Sequence, residues 1–239
     1  EGEAPGGRSN HTAVWDAEGK AMIVSGGHGS GGVWALTLSG SSWAWSRLTF
    51  GQDSPPEART NHEAVWDAAG QRMIVAGGLL YGEMPSGDAW ALARDGEGWT
   101  WAQLRPDEGL PSLREGFSAI WDAAEQRLRV FGGAGSTGRN ESWELVWGGS
   151  EWSWSWLALA GAGPGARSDH TAVWDPTGNR MVLFGGKGSG GAKRNDTWTL
   201  AWDGASWTGA MVPPNGTVPR SRRGHSAVWD DAGQRMIVF

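Results

Sequence analysis

Five stretches of one pattern decide the fold: His11-Thr12-Ala13-Val14-Trp15-Asp16, His62-Glu63-Ala64-Val65-Trp66-Asp67, Phe117-Ser118-Ala119-Ile120-Trp121-Asp122, His170-Thr171-Ala172-Val173-Trp174-Asp175 and His225-Ser226-Ala227-Val228-Trp229-Asp230. They recur about every 53 residues, a period at which each copy is one supersecondary unit. Three places before each stands an arginine: Arg8, Arg59, Arg114, Arg167 and Arg222. After each comes a turn and an apolar run ending in Gly-Gly, at 22–27, 73–78, 128–133 and 181–186. Each complete copy continues with Trp-x-Leu (Trp34, Trp90, Trp143, Trp198) and, nine residues on, a second tryptophan (Trp43, Trp99, Trp152, Trp207). The fifth copy stops at Met236-Ile237-Val238-Phe239.

Each complete copy therefore reads as four short strands, A to D. Strand A is apolar on both parities, as a strand covered on both faces requires. Sheets stacked around an axis give every sheet two such neighbours, which predicts that Trp15, Trp66, Trp121, Trp174 and Trp229 are largely buried. The A-to-B turns, such as Asp16-Ala17-Glu18-Gly19 and Asp175-Pro176-Thr177-Gly178, offer a glycine for positive φ. The Gly-Gly pairs suit a tight exit with close backbone approach.

Composition agrees with this reading. The 239 residues include 40 Gly and 11 Pro, too many helix breakers for a mostly helical chain. A hydrophobic share of 39% with 19% charged residues suffices for a core. With no cysteine there is no disulfide framework and no thiolate metal site. A net charge of −6 argues against a general nucleic-acid binder, and no apolar run approaches the ~18 residues of a membrane span.

These residues resemble the kelch repeat. The Arg-x-x-His entry, the Gly-Gly exit of strand B, the aromatic of strand C and the tryptophan of strand D carry the resemblance over essentially the whole chain. It implies an all-β, kelch-type β-propeller over residues 1–239. The expected blades are about 8–50, 59–106, 114–160 and 167–212, each four-stranded, plus a two-stranded half blade at 222–239. Three local departures stand out. Trp follows the strand A valine where Tyr is more usual, Phe117 replaces His, and Gly32 stands where Asp88, Glu141 and Asp196 are acidic. Because propellers of this repeat close with six or seven blades, the sequence reads as a fragment, incomplete at both ends, whose remaining blades belong to the same longer chain. Unpartnered terminal faces would then make the isolated polypeptide self-associate.

Candidate chemistry is weighed against the repeat. His11, His62, His170 and His225 could form a ring of metal ligands or acid–base groups, but symmetry spreads them around the axis and Phe117 fills the same slot. They are expected to pack and hydrogen-bond within the blade. The five entry arginines are expected to bond carbonyls or an acid at the blade corner. Arg72, Arg127, Arg180 and Arg235 are expected to pair with Asp67, Asp122, Asp175 and Asp230 across the A-to-B hairpin. Most of the 19 tryptophans are read as core. No catalytic residue, metal ligand or cofactor site is assigned.

Individuality lies in the B-to-C and D-to-A loops, which an up-and-down blade places at one end, and function concentrates on such loops. Residues 79–87 form the apolar loop, with Tyr81 and Met84 as candidate anchors. Residues 187–195 form the basic loop, with Lys187, Lys193 and Arg194, and Arg139 adds charge in a third. The resulting expectation is a non-enzymatic module that binds a protein or carbohydrate ligand through this loop face. A sugar-active propeller enzyme similar to sialic-acid epimerases, or a structural spacer in a large surface protein, is the alternative. A galactose-oxidase-like copper site is excluded, since it needs a Cys–Tyr crosslink and a second tyrosine.

Overall fold

Each A-to-B hairpin closes on the aspartate that ends strand A. The computed structural model describes residues 3–29, 32–51, 55–81, 83–96, 98–104, 111–112, 114–134, 140–203 and 206–239. In it Asp16, Asp67, Asp122 and Asp175 are buried. Asp16, Asp67 and Asp175 accept the amide N–H of Gly19, Gly70 and Gly178 at 2.9, 3.0 and 2.9 Å. These glycines are not the positive-φ residues the sequence suggests. That conformation falls one place later, on Lys20, Gln71 and Asn179. Glycine is required by close approach instead: a Cβ on Gly178 would sit 2.5 Å from Asp175 Oδ2.

The chain forms two compact units, residues 1–105 and 106–239. In the first, β1 (Thr12–Asp16), β2 (Ala21–Ser25), β3 (Val33–Ser39) and β4 (Ser42–Arg47) form one antiparallel sheet in sequence order. Next come β5 (Arg59–Thr60), β6 (Glu63–Asp67), β7 (Arg72–Ala76), β8 (Leu79–Leu80), β9 (Met84–Pro85), β10 (Ala89–Asp95) and β11 (Gly98–Leu104). Of these, β6, β7, β10 and β11 make the second antiparallel sheet, and β5, β8 and β9 make a small sheet from loop residues.

The second unit repeats the plan. Its first sheet is β12 (Ser118–Asp122), β13 (Arg127–Phe131), β14 (Ser142–Trp147) and β15 (Trp152–Leu157). Then follow β16 (Leu159–Ala160), β17 (Arg167–Ser168), β18 (Thr171–Asp175), β19 (Arg180–Phe184), β20 (Lys187–Gly188), β21 (Thr197–Trp202) and β22 (Trp207–Val212). Strands β18, β19, β21 and β22 form an antiparallel sheet, to whose outer edge β16 adds in parallel. Phe50 makes the matching parallel bridge to Trp99 in the first unit. Strands β17 and β20 pair in the loops, and β23 (Ala227–Asp230) with β24 (Arg235–Val238) forms the two-stranded fifth copy. No helix occurs among the described residues.

The core lies between successive sheets. In the first unit Val14, Ile23 and Val33 meet Met73, Val75, Leu92, Trp99 and Trp101. In the second, Ile120 and Phe131 meet Met181, Leu183, Leu200 and Trp207. The strand A tryptophans are less buried than the sequence suggests: Trp66, Trp121, Trp174 and Trp229 are half-buried, and Trp15 is 49% exposed. Alternation along the strand gives the reason. Trp66 and Trp174 pack against the buried clusters of their units, while Trp15 meets the exposed Trp43 edge-on at 6.5 Å.

The Gly-Gly exits behave as expected. Gly185 and Gly186 have φ of 67 and 94, and a Cβ on Gly186 would lie 2.7 Å from His170 Cβ and 2.8 Å from the Ser168 carbonyl. Only glycine permits that approach. The second glycine also links sheets: Gly27, Gly133 and Gly186 donate to the carbonyls of Arg59, Arg167 and Arg222 in the next copy, at 2.9, 2.8 and 2.9 Å.

Candidate functional site

The repeated polar residues are occupied by the frame. Arg59 Nη1 donates to the Gly77 carbonyl at 3.0 Å and to Asp88 Oδ1 at 2.6 Å, and its Nη2 reaches Asp88 Oδ2 at 3.0 Å. Arg167 repeats this with Gly185 (3.0 Å) and Asp196 (2.9 and 2.8 Å), and Arg114 with Gly132 (3.1 Å) and Glu141 (3.1 Å). The strand C tryptophan donates to the same acid: Trp90 to Asp88 at 2.6 Å, Trp143 to Glu141 at 3.4 Å and Trp198 to Asp196 at 2.7 Å. Burial alone raises the Asp88 carboxyl, but the hydrogen bonds from Arg59, Ser86 and Trp90 outweigh it and hold the group below its ordinary range. The arginines thus serve the blade corner, as the sequence suggests. In the first copy Gly32 leaves no acid, and among the described residues Arg8 keeps its carbonyl contacts to Gly26 (3.2 Å) and Gly6 (3.4 Å).

The histidines join neighbouring sheets rather than bonding within their own blade. His62 Nε2 lies 2.8 Å from Thr12 Oγ1, His170 Nε2 2.7 Å from Ser118 Oγ and His225 Nε2 2.8 Å from Thr171 Oγ1. Burial, reinforced by Arg59 and Arg167, pushes His62 and His170 down to about 3, so both are neutral at pH 7. Among the described residues no three His, Asp or Glu side chains come together as a metal site. The expected hairpin ion pairs form at Arg72–Asp67 (2.8 Å), Arg180–Asp175 (2.8 Å) and Arg235–Asp230 (2.9 Å). In copy three they do not. Glu125 stands where the other hairpins have glycine, Arg127 turns to Glu144 (2.9 Å) and Glu125 (3.3 Å), and Arg129 takes Asp122. Arg129 is buried under the ring of Trp207, its guanidinium carbon 4.6 Å from the centroid.

The loops that break the repeat are held but outward-facing. In the first unit β8 pairs with β5 and with β9, so a D-to-A segment and a B-to-C loop share one small sheet. Tyr81 sits at its tip with 96% of its surface exposed, and Met84 is 63% exposed. The base of the hairpin is tied down by Ser86, whose amide donates to Gly78 at 2.8 Å and whose hydroxyl meets Asp88 at 2.5 Å. In the second unit Lys187 pairs with Ser168 and bridges to Lys193. Lys193 is exposed and Lys187 half-buried. Arg194 folds over Gly188, where a Cβ would meet its Nη2 at 2.8 Å, and its amide donates to Gly186 at 2.8 Å. Arg139 lies outside the described residues.

The site residues therefore group by unit: Tyr81 with Met84 in the first, and Lys187, Lys193 and Arg194 in the second. Sequence reasoning missed Arg129 as a buried cation. It also missed a half-open cleft of the first unit, about 970 Å³, lined by Gly26, Gly32, Trp34, Arg47, Phe50 and Trp101 among others. Gly32 was its one signal.

Comparison with known proteins agrees with the architecture. The KLHDC2/KLHL20/DRC7 Kelch-repeats domain matches residues 1–173 and, overlapping these, 91–239. Host cell factor 2 of Homo sapiens is 28% identical over all of this chain, which spans 31% of that protein. The flagellar outer arm dynein alpha chain of Chlamydomonas reinhardtii is 32% identical over 52% of the chain and 3% of its own length. The chain thus spans under a third of these relatives. Among solved structures, that of YjhT superposes with a TM-score of 0.68 at 15% identity, over 96% of this chain and 71% of that one. No helix of the described residues is long and apolar enough to cross a membrane.

Proposed function

Because the chain belongs to the kelch-repeat family of β-propellers, we propose that it is a protein-interaction module whose B-to-C and D-to-A loops carry the binding. The observation that supports this most is Tyr81: a large aromatic side chain, 96% exposed, raised on a hairpin whose base is anchored through Ser86 and Asp88 to Arg59. An exposed aromatic on a rigid support loses little side-chain entropy on docking, and such residues carry a large share of interface energy. Arg59, Arg114, Arg167, His62, His170 and His225 are consumed by the scaffold, which leaves the irregular loop residues to select a protein partner. Lys193 and Lys187 add positive charge in the second unit, suited to steering an acidic partner surface.

The test is site-specific photo-crosslinking in the full-length protein. A crosslinker at position 81 is expected to trap a protein partner, whereas one at Lys20, in the hairpin at the opposite end of its sheet, is expected to trap none. Efficient crosslinking from position 20 and none from 81 would move the binding face to the other end. Retention of soluble glycans by the pure chain, with no protein captured, would favour the carbohydrate alternative.

A further inference from the structure

The first copy lacks the acid of the other three but keeps the donors that serve it. Asp88, Glu141 and Asp196 each stand two residues before the strand C tryptophan and accept from both the entry arginine and the indole N–H. In copy one that position is Gly32, two residues before Trp34. Arg8 makes the same carbonyl contact through Nη1, to Gly26 at 3.2 Å, so its guanidinium is placed as in the other copies. Yet Arg8 Nη2 and Trp34 Nε1 are buried and have no hydrogen-bond partner among the described residues. Trp34 is 4% exposed. Buried donors are usually satisfied. Other indoles, such as Trp101 and Trp207, also stand alone, but among the described complete copies it is in copy one that the strand C indole and the entry arginine both lack the acid they share elsewhere. That pair calls for an explanation.

The surroundings supply one. The 970 Å³ cleft of the first unit opens against Gly32 and Trp34. A Cβ on Gly32 would lie 3.3 Å from Arg47 Nε and 3.5 Å from its Nη2, so a second guanidinium stands beside the missing side chain. Phe50 and Trp101 form apolar wall, their rings 6.0 Å apart. In the other copies the equivalent guanidinium and indole N–H meet on one carboxylate. With Arg47 beside Gly32, the same donors in copy one match a carboxylate, and the apolar wall matches a hydrocarbon body.

We propose that this cleft binds a small organic acid, an alkyl or aryl carboxylate. Its carboxylate takes the position that Asp88, Glu141 and Asp196 hold in their own copies, accepting from Arg8 Nη2 and Trp34 Nε1. Arg47, exposed and beside Gly32, adds a second cation, and the apolar body packs on Phe50 and Trp101. The site is independent of the loop-borne protein binding proposed above.

The experiment titrates the full chain with 4-phenylbutanoate and with 4-phenylbutanol, its uncharged counterpart, following the indole N–H signals by NMR and the heat by calorimetry. The acid is expected to bind saturably and to shift the Trp34 indole resonance, with the alcohol at least tenfold weaker. Arg8→Gln and Trp34→Phe should each weaken the acid at least tenfold. Trp198→Phe, whose indole already serves Asp196, should leave binding unchanged. Glu3, which lines the same cleft, is a negative charge that works against the ligand, so Glu3→Gln should bind the acid as well or better. Equal binding of acid and alcohol, or no shift of Trp34 in the unsubstituted chain, would overturn the proposal whatever the variants do. A Trp34 shift on Glu3→Gln without added acid would also overturn it, by making Glu3 the acceptor.

Discussion

Arg167 holds Asp196 with both guanidinium Nη atoms, at 2.9 and 2.8 Å, across 29 residues of sequence. The same arginine ties the Gly165 and Gly185 carbonyls, at 3.1 and 3.0 Å. One side chain thereby joins the D-to-A loop, the exit of β19 and the entry of β21. Removing it leaves a part-buried carboxylate unpaired. Arg167→Ala is expected to cost about 3–5 kcal/mol, the range for breaking a buried ion pair from one side. Arg167→Lys should recover less than half, since an ammonium cannot make the bidentate contact. Chemical denaturation of each variant measures both values.

The sheet-joining histidines set an acid limit. The unfolded chain takes protons near the ordinary imidazole value of 6.5, while folded His62 and His170 take theirs only near 3. Protons therefore favour unfolding: stability from these groups is complete above pH 6.5 and falls as the pH drops toward 3. The slope reaches about 1.4 kcal/mol per pH unit for each. In copy three Phe117 fills the same slot, 2% exposed. His170→Phe should remove one imidazole's share of the slope and cost about 1 kcal/mol at pH 7 through the stranded Ser118 hydroxyl. Denaturation curves between pH 4 and 8 compare the two slopes.

Glycine need differs within one loop. Gly186 has a positive φ and backbone atoms where a Cβ would go, whereas nothing lies within 4 Å of the Cβ position of Gly190. Gly186→Ala is expected to cost about 2 kcal/mol or more, and Gly190→Ala to stay within about 0.5 kcal/mol. Thermal melting of both variants is the check.

Regular features of the fold were legible because they repeat. The Gly-Gly exits and the nine-residue interval from strand C to strand D tryptophans place the strands of all four complete sheets. What eluded the sequence depends on neighbours. The partner of His62 is a hydroxyl 50 residues away in the preceding sheet, a distance no local pattern encodes. Trp15 shares its motif with Trp66, yet Trp66 packs on the buried cluster of its unit while Trp15 meets only the exposed Trp43 among the described ring contacts. In copy three two residues are irregular, Glu125 at a glycine position and Arg129 at a position that is apolar in the other copies. With them Arg129 takes Asp122 while Arg127 turns to Glu125 and Glu144. The loop residues Tyr81 and Lys193 stood out only by failing to repeat. Gly32 was visible as a departure, but the donors it leaves unpartnered were not.

Protein binding resides in loop residues that break the repeat, while stability resides in the arginines, histidines and glycines that define it. The most direct measurement is the affinity of the full-length protein for its crosslinked partner, taken alongside the melting curve, for Tyr81→Ala, Lys193→Glu and His170→Phe. Tyr81→Ala and Lys193→Glu are expected to weaken binding tenfold or more, about 1.4 kcal/mol, with stability unchanged within about 0.5 kcal/mol. His170→Phe should lower stability and leave affinity intact. Normal binding by both loop variants, with loss of partner in a folded His170→Phe, would contradict the account and place the site among the histidines.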